Sequence, residues 1–361
     1  MTVGKTVALA DVATIHGGGR LRLTGKDFVT EGFPAYGAGG MNGLLPVAEY
    51  HRPGLLLSTV GTCGRCYFAS GHWTSLANTQ VILPDPSKVD ARYLWFQLND
   101  EARWPKSGTS QPFIKPSDVK AHRVWLPPLE EQRRIAAILD QADALRTKRR
   151  EVIANLDTLT RAIFSDIFGD PLANPRGWPQ RELRTLGRVV TGKTPPATEA
   201  GMFGGPVPFI TPGDLGSGAT AKRTLTDTGA ARSRVVRPGA TLVCCIGATI
   251  GKVGVARRLS AFNQQINAIE WSDELDDSYG YSSMEFRRSV IAAAGSSTTL
   301  PLLNKSDFGR LAIPVPTLNL QREYATRVHL VERVVASQSA QIERLDEMLS
   351  CLTDRAFKGE L

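Results

Sequence analysis

The segment Gly187-Arg-Val-Val-Thr-Gly-Lys-Thr194 matches, position for position, the loop in which glycines and a lysine cradle nucleotide phosphates. That chemistry needs a helix starting at the Lys-Thr pair, so that its N-terminus faces the phosphate. Pro195-Pro196 follow at once and push the preceding residue out of helical geometry, so nucleotide binding is not expected there. Pro84-Asp85 with Asp118-Val-Lys120 has the residue types of a carboxylate–lysine nuclease centre. A second copy of that stretch keeps Asp307 but has Gly309 in place of the lysine, and Ser117-Asp118 and Ser306-Asp307 fit a local cap or turn better. Cys63-Gly-Arg-Cys66 is a lone C-x-x-C; zinc would need two more ligands, and His51 and His72 are the near candidates. His16, His51, His72, His122 and His329 form no catalytic grouping along the chain. The Asp/Asn-Pro-Pro-Tyr/Phe tetrapeptide with which amino-methyltransferases clamp a flipped base is absent from the sequence, and no glycine-rich dinucleotide loop is convincing. The expectation is a chain with no catalytic residue, no metal and no cofactor of its own.

Other polar groups suit binding. Gly61-Thr-Cys-Gly-Arg65 and Gly247-Ala-Thr-Ile-Gly-Lys252 are glycine loops with one basic residue, a type that brings backbone N–H groups close to phosphate. Each is followed by an amide-rich patch, Asn78-Thr-Gln80 and Asn263-Gln-Gln265. Asn and Gln match adenine in the major groove, and Arg matches guanine. The candidate DNA contacts are Arg65, Asn78, Gln80, Thr109, Ser110 and Gln111 in one region. In the other they are Lys193, Thr249, Lys252, Asn263, Gln264, Ser297 and Thr298. Taken singly, any of these glycines could mark a turn and any of these amides could satisfy buried backbone.

The elements that must position these residues occur twice. Pro112-Phe-Ile-Lys-Pro-Ser-Asp118 and Pro301-Leu-Leu-Asn-Lys-Ser-Asp307 align at an offset of 189, which also pairs Pro127 with Pro316 and Gln132-Arg133 with Gln321-Arg322. Pro53-Gly54 and Pro238-Gly239 lead into short buried strands, Leu55-Leu-Leu-Ser-Thr-Val60 and Thr241-Leu-Val-Cys-Cys-Ile246. One short helix is expected in each copy, around Ala91–Asn99 and Ser282–Ala293. Each copy ends in a long helical pattern. Ile135, Ile138, Ala142, Leu145, Val152, Leu156, Leu159 and Ile163 recur at 3-4 spacing, and so do Tyr324, Val328, Val331, Val335, Ile342, Leu345, Leu349 and Leu352. Such a helix measures roughly 57 Å, and neither stripe can stay in water, so the two are expected to pack as a coiled coil. The expected division is 1–126 and 171–315 as strand-rich α+β units, with 127–170 and 316–361 as long helices.

Composition narrows the function classes. Of the net charge of +8, residues 1–129 carry +4 and residues 168–316 carry +5, while the helical stretches carry 0 and −1. The excess sits on the two units and suits a polyanion such as DNA, although +4 or +5 on a domain of this size is also common in proteins that never touch nucleic acid. Five cysteines, an odd number over 361 residues, argue against a disulfide framework and for a reducing compartment. No apolar run reaches the length of a membrane span, so a cytoplasmic, membrane-free protein is expected.

These pieces resemble a known family. Pro127-Pro-Leu-Glu-Glu-Gln-Arg-Arg-Ile135 before a long helix, Ala356-Phe-Lys-Gly-Glu-Leu361 at the C-terminus, and Thr191-Gly-Lys-Thr-Pro195 with Phe209-Ile-Thr-Pro-Gly-Asp-Leu215 resemble parts of the specificity subunit of type I restriction-modification enzymes. Tyr36-Gly-Ala-Gly-Gly-Met-Asn-Gly43 resembles a variant of the same opening in the first copy. The resemblance implies two target recognition domains joined by an antiparallel coiled coil, each reading half of a bipartite double-stranded DNA target. It implies partners too: methyltransferase (modification) subunits that bind S-adenosylmethionine, and restriction (motor-nuclease) subunits. It places subunit docking near Glu130, Glu131, Gln132 and Arg133, and near Gln321 and Arg322. Asn319 and Leu320 replace the acidic pair in the second copy, which puts equal docking in doubt. The rival readings are an enzyme acting alone, which would bind cofactor or cleave, and a coiled-coil protein-interaction scaffold without DNA sequence preference.

Overall fold

Pro127-Pro128 end a run of strands, and the helix after them continues without a break over Leu129–Phe168. Thr317 precedes its counterpart, Leu318–Lys358. In the computed structural model, which describes residues 4–108, 110–216, 221–295 and 302–360, everything else is short strands and short helices. The chain is α+β and divides into two compact units, Met1–Glu151 with Ser339–Leu361, and Val152–Gln338.

The first unit holds an antiparallel sheet in the order Ala13–Gly17, Thr79–Pro84, Gly54–Ser58, Cys66–Ala69. Gly40–Leu45, Phe33–Gly37 and Thr74–Ser75 form a smaller sheet whose last pair is parallel. Lys5–Ala8 pairs with Arg123–Leu126. The second unit repeats each feature. Its main sheet runs Gly187–Thr191, Ile266–Trp271, Thr241–Cys244, Val253–Val255, again antiparallel. Its second sheet runs Arg223–Leu225, Phe203–Ile210, Ser260–Phe262, Val235–Val236, with Phe203–Ile210 parallel to Ser260–Phe262. Gln180–Glu182 pairs with Ala312–Pro314. The central strands Gly54–Ser58 and Thr79–Pro84 are buried along their whole length, which is why they read as continuous rather than alternating apolar runs.

Short helices are set by their caps. Asp90 accepts a hydrogen bond from Tyr93 N and starts Ala91–Leu98. Asp276 accepts from Ser278 N and Tyr279 N and starts Asp277–Phe286. The second helix therefore begins before the Ser282 expected from the sequence, and Arg288–Ala294 follows as a separate seven-residue helix. Asp307 sits in the first turn of Lys305–Arg310, its N–H donating to Asn304 Oδ1 at 2.9 Å, so the Ser-Asp pair belongs to a capped helix start.

One buried glutamine locks each long helix to its unit. Gln132 Oε1 accepts from Asp90 N at 2.9 Å while its Nε2 donates to Pro127 O at 2.8 Å. Gln321 Oε1 accepts from Asp276 N at 2.8 Å while its Nε2 donates to Pro316 O at 2.9 Å. Beside the clamps, Tyr93 donates to Trp125 O and Tyr279 to Pro314 O. The same side chains close the same gap twice.

Within the first unit, Ile135, Ala136 and Leu139 share a core with Tyr93, Val119, Val124 and Ala356, and Leu349 and Leu352 pack on it. Within the second, Phe164 and Phe168 meet Tyr324 at ring separations of 5.4 Å, in one core with Tyr279 and Val328. In both, one end of the first helix lies beside the opposite end of the second, an antiparallel pairing. The second helix buries or half-buries every residue of its expected stripe. The first does not. Leu145, Val152 and Leu159 are 50%, 41% and 45% exposed, and Arg146 turns inward instead, paired with Asp143 and Asp346. At Leu145 a polar layer takes the place of an apolar residue.

Candidate nucleic-acid interface

The register of the main sheet fixes a loop in each unit. Leu57 pairs with Cys66 and Val243 with Val253, so residues 59–65 and 245–252 close equivalent ends. The loops are held by matching bonds. Ser58 N donates to Arg65 O at 2.8 Å and Cys244 N to Lys252 O at 2.8 Å. Gly64 N donates to Ser58 O, and Gly251 N to Cys244 O, both at 2.9 Å. Arg65 N bonds Thr62 O, and Lys252 N bonds Thr249 O. Even the side chains correspond: Ser58 Oγ lies 3.1 Å from Thr62 Oγ1, and Cys244 Sγ lies 3.4 Å from Thr249 Oγ1. Gly64 and Gly251 have φ of 95° and 87°, a region that side chains avoid.

Other segments gather at the same sheet end. In the first unit Thr59 N donates to Asn78 O, and Ile114 N donates to Thr59 O. The second bond docks a hairpin whose arms meet at Ser107 and Phe113. Cys63 Sγ lies 3.0 Å from both Thr59 O and Pro112 O, so this buried thiol ties the loop to the hairpin; burial pushes its pKa up. In the second unit Cys245 N donates to Gln265 O, and Leu303 N to Cys245 O. Gly192 N bonds Ile266 O, which places Lys193 beside Asn263 and Gln264. Each sheet end is a platform of backbone-braced loops with polar tips.

The structure sorts the expected contacts. Arg65, Asn78, Ser110 and Gln111 are exposed on the first platform, and Lys193, Thr249 and Gln264 on the second, with Lys252 half-buried. Asn78 has φ of 65°, and its carbonyl holds the loop while its side chain stands outside. Two residues do not fit the expectation. Gln80 lies within the central strand at 8% exposure, paired with Gly17 and Leu57, too enclosed to reach a base edge. Asn263 is 9% exposed and bonds Gln265 through both ends of its amide, so it shapes the turn. Thr109, Ser297 and Thr298 lie outside the described residues. Among the residues placed for docking, Glu130, Arg133 and Arg322 are exposed, and Glu131 forms a two-bond ion pair with Arg134 that holds its carboxyl below the usual range. Gln132 and Gln321 are 1% and 0% exposed, so they are internal clamps and cannot touch a partner. The nucleotide-loop match forms strand Gly187–Thr191 with no helix over residues 192–196. Among the described residues no three His, Cys, Asp or Glu side chains are grouped to hold a metal, and no helix is long and apolar enough to cross a membrane.

Sequence reasoning missed two residues of the first platform. Lys106 is exposed at the foot of the 107–113 hairpin and near enough to Cys63 to act on its charge; a basic residue directly before Ser107-Gly108 was the available signal. Glu101 accepts from Arg65 Nε at 2.8 Å, and a separation of 36 positions along the chain hid the pairing.

A family model described as the type I restriction modification DNA specificity domain matches residues 4–155 and again 175–347. The HindI specificity subunit of Haemophilus influenzae is 31% identical over 196 residues, 52% of this chain and 42% of that protein. The matched stretch thus spans less than half of that relative. The putative MjaX specificity subunit of Methanocaldococcus jannaschii is 19% identical over 305 residues, 79% of this chain and 71% of that one. In fold, the chain is similar to the S subunit of a type I restriction-modification system from M. genitalium, with TM-score 0.65 and 16% identity over 99% of this chain and 96% of that one. A chain from a structure on complex assembly and conformational transition of the type I system matches with TM-score 0.53 and 18% identity, over 99% and 98%.

Proposed function

Since the chain belongs to the family of type I restriction-modification DNA specificity domains, with the domain present twice, we propose that it selects the DNA sequence on which a multi-subunit enzyme acts. Each platform reads one half of a bipartite target through the major groove. Residues 1–126 and 171–315 serve as the two recognition domains, and the helices between and after them set the unread gap. The observation that carries this reading is the loop braced twice by the same three backbone bonds, at one end of an equivalent sheet and ending in a basic residue each time. A net charge of +8, concentrated in the two units, supports a polyanionic partner.

The chain is non-catalytic in this proposal. Methyltransferase subunits dock along the helices and near Glu130, Glu131, Arg133 and Arg322, bring S-adenosylmethionine, and carry out the methylation; restriction subunits complete the enzyme in the cytoplasm. Sequencing the methylome of the host with and without this chain tests the reading. Loss of one bipartite methyl mark is the expected result. Loss of a continuous motif, or of no motif, would refute it.

A further inference from the structure

Resting on that DNA-reading role, we infer that Arg65 reads a base edge with Glu101 as its positioning residue, whereas Lys252, at the matching place in the second unit, contacts phosphate. An arginine recognises guanine by presenting two N–H donors in one plane, and a loosely held side chain loses much of that advantage to ordering entropy. Arg65 is not loosely held. Its Nε donates to Glu101 Oε1 at 2.8 Å, and the Tyr67 side chain lies close enough to act on the same guanidinium. The side chain is still 58% exposed, which leaves the Nη1 and Nη2 end to face a ligand.

Glu101 is itself fixed. It opens the single turn Glu101–Arg103, capped by Asp100 Oδ1 accepting from Ala102 N at 3.0 Å. Gly64 lets that turn come close: a Cβ there would stand 3.1 Å from Glu101 Cα and 3.2 Å from its carbonyl oxygen. The carboxylate also decides what the arginine can approach. A phosphate beside Arg65 would meet Glu101's negative charge as well, and the two would nearly cancel. A base edge carries no net charge and meets only the oriented donors.

The second unit lacks this device. Gly251 approaches Arg288 where Gly64 approaches Glu101, and the Arg288 guanidinium is turned to Glu285 at 3.3 Å. Among the described residues Lys252 has no ion-pair partner. An unaccompanied ammonium is a point charge suited to phosphate and poor at telling bases apart.

The test uses the full chain assembled with its modification subunit, bound at several salt concentrations to its target duplex and to duplexes changed at each base pair in turn. Arg65→Lys should lose discrimination by about 5- to 150-fold at one G·C pair, leaving the other positions and the salt slope unchanged. Glu101→Gln should weaken discrimination at that same pair while tightening binding to unrelated DNA, and Glu101→Asp should recover part of it. Lys252→Gln should weaken all sequences alike and lower the salt slope by about 0.9. Uniform weakening by Arg65→Lys, or a Glu101→Gln effect at a different base pair, overturns the assignment alone. Wild-type protein without sequence preference overturns the DNA-reading role and this assignment with it. Urea midpoints for each variant separate recognition from folding.

Discussion

The loops at residues 59–65 and 245–252 are braced alike, differ by one residue in length, and differ in charge. Three bracing backbone bonds correspond, yet Arg65 faces Glu101 while the second loop lies against the Arg288 backbone. A neighbouring strand end differs in the same sense, with Gly19 in the first unit where the second has Lys193. Gly18 and Gly192, one residue earlier, make equivalent bonds to Thr79 O and Ile266 O. The scaffold is therefore fixed by bonds no ligand sees, and recognition is free to diverge at the tips. A duplicated unit can in this way come to read two unlike half-sites without refolding.

If the scaffolds are equivalent, disabling the clamps should cost the two units alike. Gln132→Ala and Gln321→Ala each strand a buried N–H and a buried carbonyl and open a cavity, so each should destabilise its unit by about 3–4 kcal/mol. Hydrogen exchange resolved by unit would show it, and a large effect in only one unit would break the equivalence. Next come the loop glycines. Alanine at Gly251 would place its Cβ 2.6 Å from Arg288 O, whereas at Gly64 the closest atom is 3.1 Å away. Gly251→Ala should therefore cost about 2–3 kcal/mol and Gly64→Ala about 1 kcal/mol, read as urea midpoints.

The charge difference gives a smaller effect. Lys193→Gln should weaken binding to every duplex by the same factor and reduce the salt slope by about 0.9, measured by salt titration. A loss confined to one base pair would make Lys193 a reader instead. The smallest effect concerns pH. His122 stacks on Trp104 at 4.2 Å, and burial lowers its pKa from 6.5; Leu311 stands at the equivalent place. A depressed folded pKa means the unfolded chain binds the proton first, so first-unit stability should fall as pH drops below 6.5 and level off below the folded pKa. His122→Leu should flatten that dependence in urea titrations across pH, and an unchanged slope would assign it elsewhere.

Much of the fold was readable because it repeats. An offset of 189 carried Pro116 to Lys305 at the helix starts and Gln132 to Gln321 at the clamps, and the second helix's stripe lies inward as its spacing predicts. Periodicity misjudged the first helix near Leu145, because it cannot foresee that Arg146 turns inward to reach Asp346. Composition likewise counted Gln80 and Asn263 as polar tips, though one lies inside a buried strand and the other closes a turn. The Gln132 and Gln321 pair was visible as a repeated motif, but its role depended on an aspartate N–H more than forty residues away. Glu101 left no local trace at all, since only the folded loop brings it to Arg65.

Two platforms reading separate halves of one target remain the central claim. Exchanging residues 1–126 for the matching region of another family member, then sequencing the methylome of the host, tests it most directly. A motif altered in one half only, with the other half and the gap retained, is the predicted result. Change in both halves, or in neither, would contradict it.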